Sequence, residues 1–478
     1  MGQDIETAGF READFAAFRQ RLELETRSLG QGFAEGRLSR EGPRIGFELE
    51  AWLIDRNCFP APHNQSFLAR LRDPMVVSEL SRFNIELNGP PQMLAGDGLL
   101  RLERGLAASW RRCIGTAHDD VDTVIAIGTL PTLRESDLSL ANITPSNRYL
   151  ALNAELGKAR RGAPLRIDID CADAQGAHLR TCHSDVMLEA ATTSFQLHLQ
   201  APCDRLPALF NASLLLSAPL VAIAANSPFL FGQPLWHESR IPIFEQALEQ
   251  APPRTGESDH RRVTFGAGYL GDDPTAIFAE NLRDYPVLLP VPPHEPVERY
   301  AALRLHNGTI WRWNRVLVGF DADGTPHLRL EHRIMPAGPS VIDMIANAAF
   351  YYGAVHMLAQ VSRPGREGLS FASARANFYT AAKHGLDAQV IWLDGRIQPV
   401  RDVLAELLPL AREGLARQGV TAGLIDRYLD VIGLRLASGR TGAAWQLAHH
   451  ARHGDLFRLT AEYLEHQRSG MAVHEWPL

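Results

Sequence analysis

The sequence predicts an α+β fold, in which separated β-strands form a sheet and helices cover it. Apolar and polar residues alternate along several segments, as in strands with one buried face, namely residues 44–55, 82–88, 192–200, 310–316 and 328–334. From about residue 339 to the C-terminus, apolar residues instead recur at the helical period. These two patterns favour a sheet region followed by a helical region.

Composition excludes several classes of protein. The 478 residues carry a net charge of -7, so the chain lacks the basic excess typical of nucleic-acid binding. The five cysteines are scattered and form no CxxC pair, which argues against a zinc site or a disulfide framework. The first eleven residues lack the apolar run of a secretory signal. We therefore predict a cytoplasmic protein.

The basic residues narrow the chemistry further, because Lys158 and Lys383 are the only lysines. No GxxxxGK[ST] motif is present, and phosphate sites that depend on lysine have almost no candidates. The glycine motif of residues 266–271 is followed by Asp272-Asp273-Pro274 where a phosphate-binding helix should begin, which excludes a Rossmann site. If the protein handles ATP, arginines and metal ions must neutralise the phosphates.

The first half of the chain alternates helices and strands. Phe15, Phe18 and Leu22 share a stripe that predicts a helix over residues 12–27. Pro145 and Ser146 are typical of a helix start. Hydrophobic periodicity and helix-breaking residues predict the remaining elements of this half. In order, these are a strand at 44–55, a helix at about 66–82, a strand at 82–88, a helix at about 98–118, a strand at 121–130 and a strand at 192–200.

The second half begins with an uncharged run. Residues 206–236 contain no Asp, Glu, Lys or Arg, but prolines and asparagines interrupt them, so we predict a buried helix and not a membrane span. Residues 252–298 are rich in proline and charge and predict a long surface loop. The turn at residues 321–324 then joins two strands, 310–316 and 328–334, and the remainder is helical.

The polar faces of the predicted strands repeat one kind of side chain. Glu48 and Glu50 share a face, with Cα atoms about 6.6 Å apart. A single such pair is usually a solvated face. Glu86, then His198 with Gln196, and then Glu331 with Arg333 occupy equivalent faces of other strands. Carboxylates and an imidazole can hold magnesium, and arginines can hold phosphates, so the set predicts a magnesium-nucleotide site.

One ambiguity concerns two further arginines. Arg312 and Arg315 are separated by an odd step, so a regular strand places only one of them on the polar face. The pattern does not decide between them.

Several motifs resemble the bacterial glutamate-cysteine ligase type 2 (carboxylate-amine ligase) family. The resemblance spans about residues 44–440 and rests on Gly46-Phe47-Glu48-Leu49-Glu50, Arg148-Tyr149, Ala225-Asn226-Ser227-Pro228-Phe229 with Gly232 and Arg240, Leu330-Glu331-His332-Arg333 and Gly385-Leu386-Asp387-Ala388. The order of these motifs is similar to that of the wider glutamine synthetase superfamily. It implies a curved antiparallel sheet that forms a funnel, with ATP at one end and the amino acid at the other.

The resemblance also implies roles and domains. Glu48, His198 and Glu331 would hold one magnesium ion and Glu50 with Glu86 another, with Mn²⁺ as a substitute. For the nucleotide, the resemblance implies contacts from Arg333, from Arg312 or Arg315, and from Asn226. For the substrates, it implies contacts from Arg148, Tyr149, Arg240 and Gln196. Residues 1–40 have no counterpart in the family pattern, and their helical period predicts an N-terminal cap. Residues 41–340 would form the catalytic domain and 341–478 a helical region packed on it.

The implied reaction is ATP-dependent formation of a γ-glutamyl amide through an acyl phosphate. The partners would be glutamate or a similar carboxylate and cysteine or another amine, in glutathione biosynthesis, with no nucleic acid and no membrane, and a homodimer is left open. The paired histidine motif of the family appears here as Gln196-Leu197-His198, so the acceptor amine stays open. A different ligase, a two-metal hydrolase, a guanidino-type kinase and an inactive binding protein are the alternatives.

Overall fold

A computed structural model describes residues 5–6, 8–117, 123–172, 177–250, 261–361 and 368–478. The strands are β1 (Arg44–Ile54), β2 (Val76–Ser78), β3 (Asn84–Asn88), β4 (Gln92–Met93), β5 (Thr123–Ile125), β6 (Leu165–Asp170), β7 (His178–His183), β8 (Phe195–Gln200), β9 (Phe229–Leu230), β10 (Gln233–Pro234), β11 (Val263–Thr264), β12 (Trp311–Arg312), β13 (Asn314–Phe320), β14 (Pro326–His332), β15 (Gln389–Ile391) and β16 (Ile397–Pro399).

Helices alternate with the strands in the first two thirds of the described chain and make up most of its last third. They are α1 (Glu12–Ala34), α2 (Asn64–Leu71), α3 (Gly98–Thr116), α4 (Asn147–Ala159), α5 (Leu206–Ala224), α6 (Arg240–Ala247), α7 (Ala276–Asp284), α8 (Ala301–Asn307), α9 (Val341–Val361), α10 (Phe371–His384), α11 (Val400–Arg417), α12 (Ala422–Ser438), α13 (Gly442–His453) and α14 (Leu456–Ser469).

The main sheet is antiparallel and has the order β13-β14-β8-β1-β3-β2, with β4 and β5 also paired to β1. It is strongly curled, and helices cover it, which confirms the predicted α+β funnel. Strand β1, which carries Glu48 and Glu50, is near its centre, because it pairs with β3 on one side and β8 on the other.

Register places the polar residues of neighbouring strands side by side. The Cα partners across the sheet include Arg315 with Glu331, Glu331 with His198, Glu48 with Gln196, and Glu50 with Glu86. Because neighbouring strands are about 4.8 Å apart, side chains on one face of these pairs are in reach of one another. A single face of the sheet therefore gathers the residues that the sequence indicated.

Two apolar helices support the sheet from its other side. Helices α5 and α9 are long and apolar enough to cross a membrane, but 94% and 89% of their most apolar windows are buried inside the protein. The Tyr352 hydroxyl of α9 donates to the carbonyls of Gly46 and His198, 2.9 and 3.0 Å away, and so ties this helix to β1 and β8. Both helices behave as core helices, as predicted for the uncharged run.

A buried polar network joins the C-terminal helices to the sheet region. The Asn226 amide nitrogen donates to the Ala337 carbonyl and the Tyr463 hydroxyl, and its amide oxygen accepts from Gln446 Nε2. Gln467 of α14 bonds both backbone groups of Ala126. We call these four side chains, Asn226, Gln446, Tyr463 and Gln467, the C-terminal hub.

Three predicted elements differ from the structure. The helix expected over 66–82 ends at Leu71, because Arg72 is left-handed (φ 51°) and Pro74 disfavours a helical residue before it, and β2 follows. The loop expected over 252–298 contains β11 and α7 in its described part, residues 261–298. The strand expected at 121–130 has only the three residues of β5, and residues 121 and 122 are outside the described residues.

Candidate active site

A cavity of about 470 Å³ opens on the polar face of the sheet. Its walls are unusually rich in charge for so small a volume. The charged and polar side chains that line it include Glu48, Glu50, Glu79, Glu86, Glu189, Glu331, Arg148, Arg304, Arg315, Arg329, Arg333, Tyr149 and Gln196. A concave site with convergent polar groups is the usual form of a small-molecule site.

Strands β1, β8 and β14 bring a candidate metal cluster together. Ligand atoms of Glu48, His198 and Glu331 all lie within 4.8 Å of one another. His198 Nε2 lies 3.1 Å from Glu48 Oε1, yet this buried nitrogen makes no hydrogen bond of suitable geometry. Ligand atoms around one octahedral magnesium ion are about 3 to 4 Å apart. The donor set and its unsatisfied nitrogen therefore fit a divalent cation held by these three residues.

Two arginines clamp the Glu331 carboxylate. Arg315 donates to both oxygens, at 2.8 and 3.0 Å, and Arg333 Nη1 donates to Oε2 at 3.1 Å. Burial opposes ionisation of Glu331, but the two guanidiniums overcome it and lower its pKa to about 2. The carboxylate is thus charged at neutral pH. Oε2 accepts two hydrogen bonds and Oε1 accepts one, so Oε1 retains a lone pair for a cation.

Glu48 is ionised for a related reason. Burial disfavours its charge, but the adjacent His198 imidazole holds the pKa of Glu48 well below its ordinary value. On the far side of the ring, Arg329 Nε donates to His198 Nδ1 at 3.3 Å. In that arrangement the proton of a neutral imidazole is on Nε2, so a cation at Nε2 requires Arg329 to release Nδ1.

Gln196 forms hydrogen bonds with both Glu50 and Arg333. Its amide nitrogen donates to Glu50 Oε1 at 2.8 Å, and its amide oxygen accepts from Arg333 Nη1. The other oxygen of Glu50 accepts from the Ser194 amide at 2.6 Å. The glutamine that departs from the family pattern therefore orients Glu50 and Arg333 and also lines the cavity.

A second group of carboxylates lies on the opposite wall. Burial and the charge of Glu48 raise the pKa of Glu86 to about 7, and burial together with Glu86 and Glu50 raises the pKa of Glu79 well above its usual range. Crowded carboxylates that retain protons are ready to exchange them for a cation. Glu50, Glu79 and Glu86 could therefore hold a second ion.

Glu79 and Glu189 were missed by the sequence analysis. Glu79 follows the last residue of β2, and Glu189 lies in a 3-10 turn, Met187–Ala191, so neither shows the alternation of a strand. Burial and the charge of Glu50 raise the pKa of Glu189 to about 8. No local sequence signal indicates either residue.

Arg148 and Tyr149 line the same cavity from the first turn of α4, whose start near Ser146 was predicted. The Tyr149 hydroxyl lies 3.5 Å from the Ser78 carbonyl, and burial raises the pKa of Tyr149 well above its usual range. Both residues are thus placed where a substrate could contact them, on the side of Glu79 and Glu86.

Three of the predicted site residues are elsewhere. Asn226 is fully buried in the C-terminal hub. Arg240 is 2% exposed, pairs with Glu238 at 3.0 Å and donates to the carbonyl of Arg333 at 3.1 Å, so it supports the backbone behind the site. Arg312 belongs to the small sheet of β11 and β12 and pairs with Glu280 at 2.6 Å. None of the three lines the cavity.

The choice between Arg312 and Arg315 is thereby settled in favour of Arg315. Trp313 interrupts the strand between β12 and β13, so the two arginines belong to different sheets. Arg312 instead pairs with Glu280 of α7 and does not line the cavity.

The cavity offers two clusters of carboxylates for cations and five guanidiniums for anions. Ionised Glu48 and Glu331 supply negative charge beside the guanidiniums of Arg315 and Arg333. A magnesium-bound polyphosphate needs both kinds of group, since the cation neutralises part of the phosphate charge and arginines neutralise the rest.

Solved structures of other proteins share the fold of this chain. Among solved structures, a glutamate–cysteine ligase from Francisella tularensis in complex with AMP matches with a TM-score of 0.58 and 11% identity, over 92% of this chain and 91% of that one. A bifunctional glutathione synthetase from Pasteurella multocida matches with a TM-score of 0.55 and 13% identity, over 94% of this chain and 55% of that one.

At these identities the two structures establish a shared fold. A comparison with curated proteins gave no sequence match. The family model of glutamate-cysteine ligase family 2 matches residues 44–462, which is most of the chain and contains every residue of the candidate metal cluster. The chain belongs to glutamate-cysteine ligase family 2.

Proposed function

We propose that this protein is an ATP-dependent carboxylate–amine ligase that joins the side-chain carboxylate of glutamate, or a similar acid, to an amine. The observation that carries the proposal is the cluster of Glu48, His198 and Glu331, within 4.8 Å of one another and clamped by Arg315 and Arg333. Membership of the glutamate-cysteine ligase family supports it.

The residues of the chain have separable tasks in this reaction. Arg333 and Arg315 stabilise negative charge on the transferring phosphoryl group. Glu48, His198 and Glu331 would hold one magnesium ion, and Glu50, Glu79 and Glu86 a second. Bound magnesium supplies Lewis-acid stabilisation of phosphate oxygens. Arg148 and Tyr149 face the organic substrates.

The proposed chemistry has two steps. A carboxylate oxygen of the acid attacks the γ-phosphorus of ATP, the bond to the β-phosphate oxygen breaks, and ADP leaves. The amine nitrogen then attacks the acyl carbon, phosphate leaves, and the amine loses a proton, which leaves an amide. The enzyme needs no covalent nucleophile, and none of the five cysteines lines the cavity.

Cysteine is the acceptor that the family resemblance favours, and glutathione biosynthesis is the corresponding pathway. We keep both as proposals, together with the cytoplasmic location, the three-part division of the chain and the homodimer. The walls of the cavity carry six glutamates besides Glu331, so the acceptor is best identified by experiment from a panel of amines.

The test is incubation of the purified protein with ATP, Mg²⁺, glutamate and a panel of amines that includes cysteine, with ADP release and mass spectrometry as readouts. We expect ADP formation and a product heavier than glutamate only when acid, amine and Mg²⁺ are all present. Hydrolysis of an ester or amide without ATP would favour a two-metal hydrolase. A stable phosphorylated product without an amine would favour a kinase, and no turnover with tight partner binding would favour an inactive member.

A further inference from the structure

The N-terminal helix α1 lies outside the family match, which begins at residue 44, yet it contacts the wall of the cavity. Phe18, Leu22 and Leu29 are buried on one stripe of α1, which packs against α7 and α8. Ile5, from the segment before this helix, lines the cavity itself. The segment is therefore integrated with the site and is not a detached appendage.

The strongest link is a buried carboxylate. Glu25 of α1 has no exposed surface, and its Oε2 accepts the backbone N–H of Leu303, in the first turn of α8, at 2.8 Å. Its other oxygen accepts from Arg21 Nε at 2.6 Å, and Arg21 in turn donates to the carbonyl of Glu295, a cavity-lining residue, at 2.5 Å. A carboxylate on a helix N-terminal N–H is a strong, directional contact.

Helix α8 presents Arg304 to the cavity, one residue after Leu303. The Arg304 guanidinium lies 5.8 Å from the centre of the Phe320 ring, which also carries Arg299 at 3.9 Å. Phe320 ends β13, the strand that supplies Arg315. The position of Arg304 thus depends on the sheet below it and on the placement of α8 by Glu25.

The charges near Arg304 indicate what it faces. Arg315 and Arg333 are paired with Glu331, but among the described residues neither Arg304 nor Arg329 has a carboxylate ion pair. Arg304 and Arg329 line the same cavity, and guanidiniums that are not held in a salt bridge can bind an anion. Arg329 Nε lies 3.3 Å from His198 Nδ1, so an anion bound by Arg329 would lie beside the candidate metal cluster.

We propose that α1 is a working part of this active site, in which Glu25 positions α8 so that Arg304, together with Arg329, binds the phosphate groups of the nucleotide. Arg304 is the binding residue, and Glu25 is a positioning residue that acts through it. This inference rests on the proposed function, because the phosphates are those of ATP.

The test is direct binding of the magnesium complex of a non-hydrolysable ATP analogue, measured by titration calorimetry on the full chain. Loss of one charge-assisted contact corresponds to about tenfold or more in affinity, so we expect Arg304→Ala to weaken binding by roughly that factor. Glu25→Gln should produce a similar loss, because its amide nitrogen would face the Arg21 donors. The double variant should be little worse than either single variant, since both changes remove one contact.

Glu23→Gln is the matched control. Glu23 lies on the same helix, is 43% exposed at its side chain and pairs with Arg19 only at the surface, so its variant should bind like the wild type. Circular dichroism checks the fold of each variant. If Glu25→Gln does not fold, Arg304→Ala still decides the binding role, and Arg21→Gln tests the brace from its other partner.

The outcomes separate this inference from the proposed function. Wild-type protein that binds no nucleotide would overturn both. Tight binding by the wild type and equally tight binding by Arg304→Ala would overturn only the role of Arg304. If Glu25→Gln and Arg21→Gln lower thermal stability but leave nucleotide affinity unchanged, α1 is merely structural. An effect of Arg304→Ala on glutamate KM alone would assign Arg304 to the acid substrate and refute the inference.

Discussion

Magnesium binding should be linked to proton release from the wall that carries Glu86. The pKa of Glu86 is raised from 4.5 to about 7, mainly by burial and by the charge of Glu48. A cation competes with the proton on this carboxylate, so its observed affinity follows the deprotonated fraction. That fraction is about one eleventh at one pH unit below the pKa and about ten elevenths at one unit above it. We therefore expect magnesium affinity to rise roughly tenfold between about pH 6 and pH 8.

Titration calorimetry in two buffers of different ionisation enthalpy measures both the affinity and the protons released. Glu86 should contribute about one proton on magnesium binding below pH 7 and fewer above pH 8, in addition to the proton that Glu79 releases. In Glu86→Gln the pH dependence should flatten. Affinity that does not change with pH, or a pH dependence that Glu86→Gln leaves intact, would refute the reasoning and remove Glu86 from the cation site.

The sign of the accompanying stability change follows from the same pKa. A carboxyl group whose folded pKa is raised binds its proton more tightly in the folded state than in the unfolded state. Its contribution to the free energy of unfolding is therefore full below about pH 4.5 and is lost as the pH rises through about 7. Glu331, whose pKa is lowered to about 2, contributes oppositely, and its stabilisation is lost as the pH falls from 4.5. Without magnesium, thermal stability should decline from about pH 5 to pH 8, and magnesium should reverse the decline.

Three further results are expected. Arg333→Lys keeps the charge but loses the planar fork, so kcat should fall by roughly 10² with magnesium affinity little changed, and rescue by excess magnesium would contradict this. Glu331→Gln should abolish turnover and shift the magnesium dependence of nucleotide binding while circular dichroism stays near wild type; normal activity would exclude Glu331 from the metal site. Asn226→Ala should lower the free energy of unfolding in denaturant by about 2–4 kcal/mol, because it leaves several buried groups without partners, whereas exposed Asn57→Ala should have no effect.

Much of the metal cluster could be predicted from sequence, because a strand has a fixed period of two. Once Glu48, His198 and Glu331 are assigned to strands with one polar face, an antiparallel sheet leaves few ways to arrange them. The pairing of Glu331 with His198 then follows from register and not from any local signal. The family resemblance supplied the curved antiparallel sheet, and the order of its strands is known only from the structure.

Asn226, Arg240 and Arg312 show the limit of a motif. A motif records which residue types recur at a site, but a buried asparagine that holds a network together recurs for the same reason as one that contacts a ligand. Their roles depend on distant partners that a local pattern does not contain. Glu280 is 32 residues from Arg312, Arg333 is 93 residues from Arg240, and Tyr463 is 237 residues from Asn226. Glu79 and Glu189 could not be identified from the sequence for a different reason, because they lie outside regular strands.

The C-terminal hub has a consequence for how the protein is made. Ala126 and Asn226 precede helix α9 in the chain, but several of their hydrogen bonds are made by residues between Gln446 and Gln467. During synthesis on the ribosome, these bonds cannot form until the residues of α13 and α14 have emerged. We therefore expect nascent chains stalled before α13 to remain sensitive to protease, and full-length chains to become resistant in a single late step.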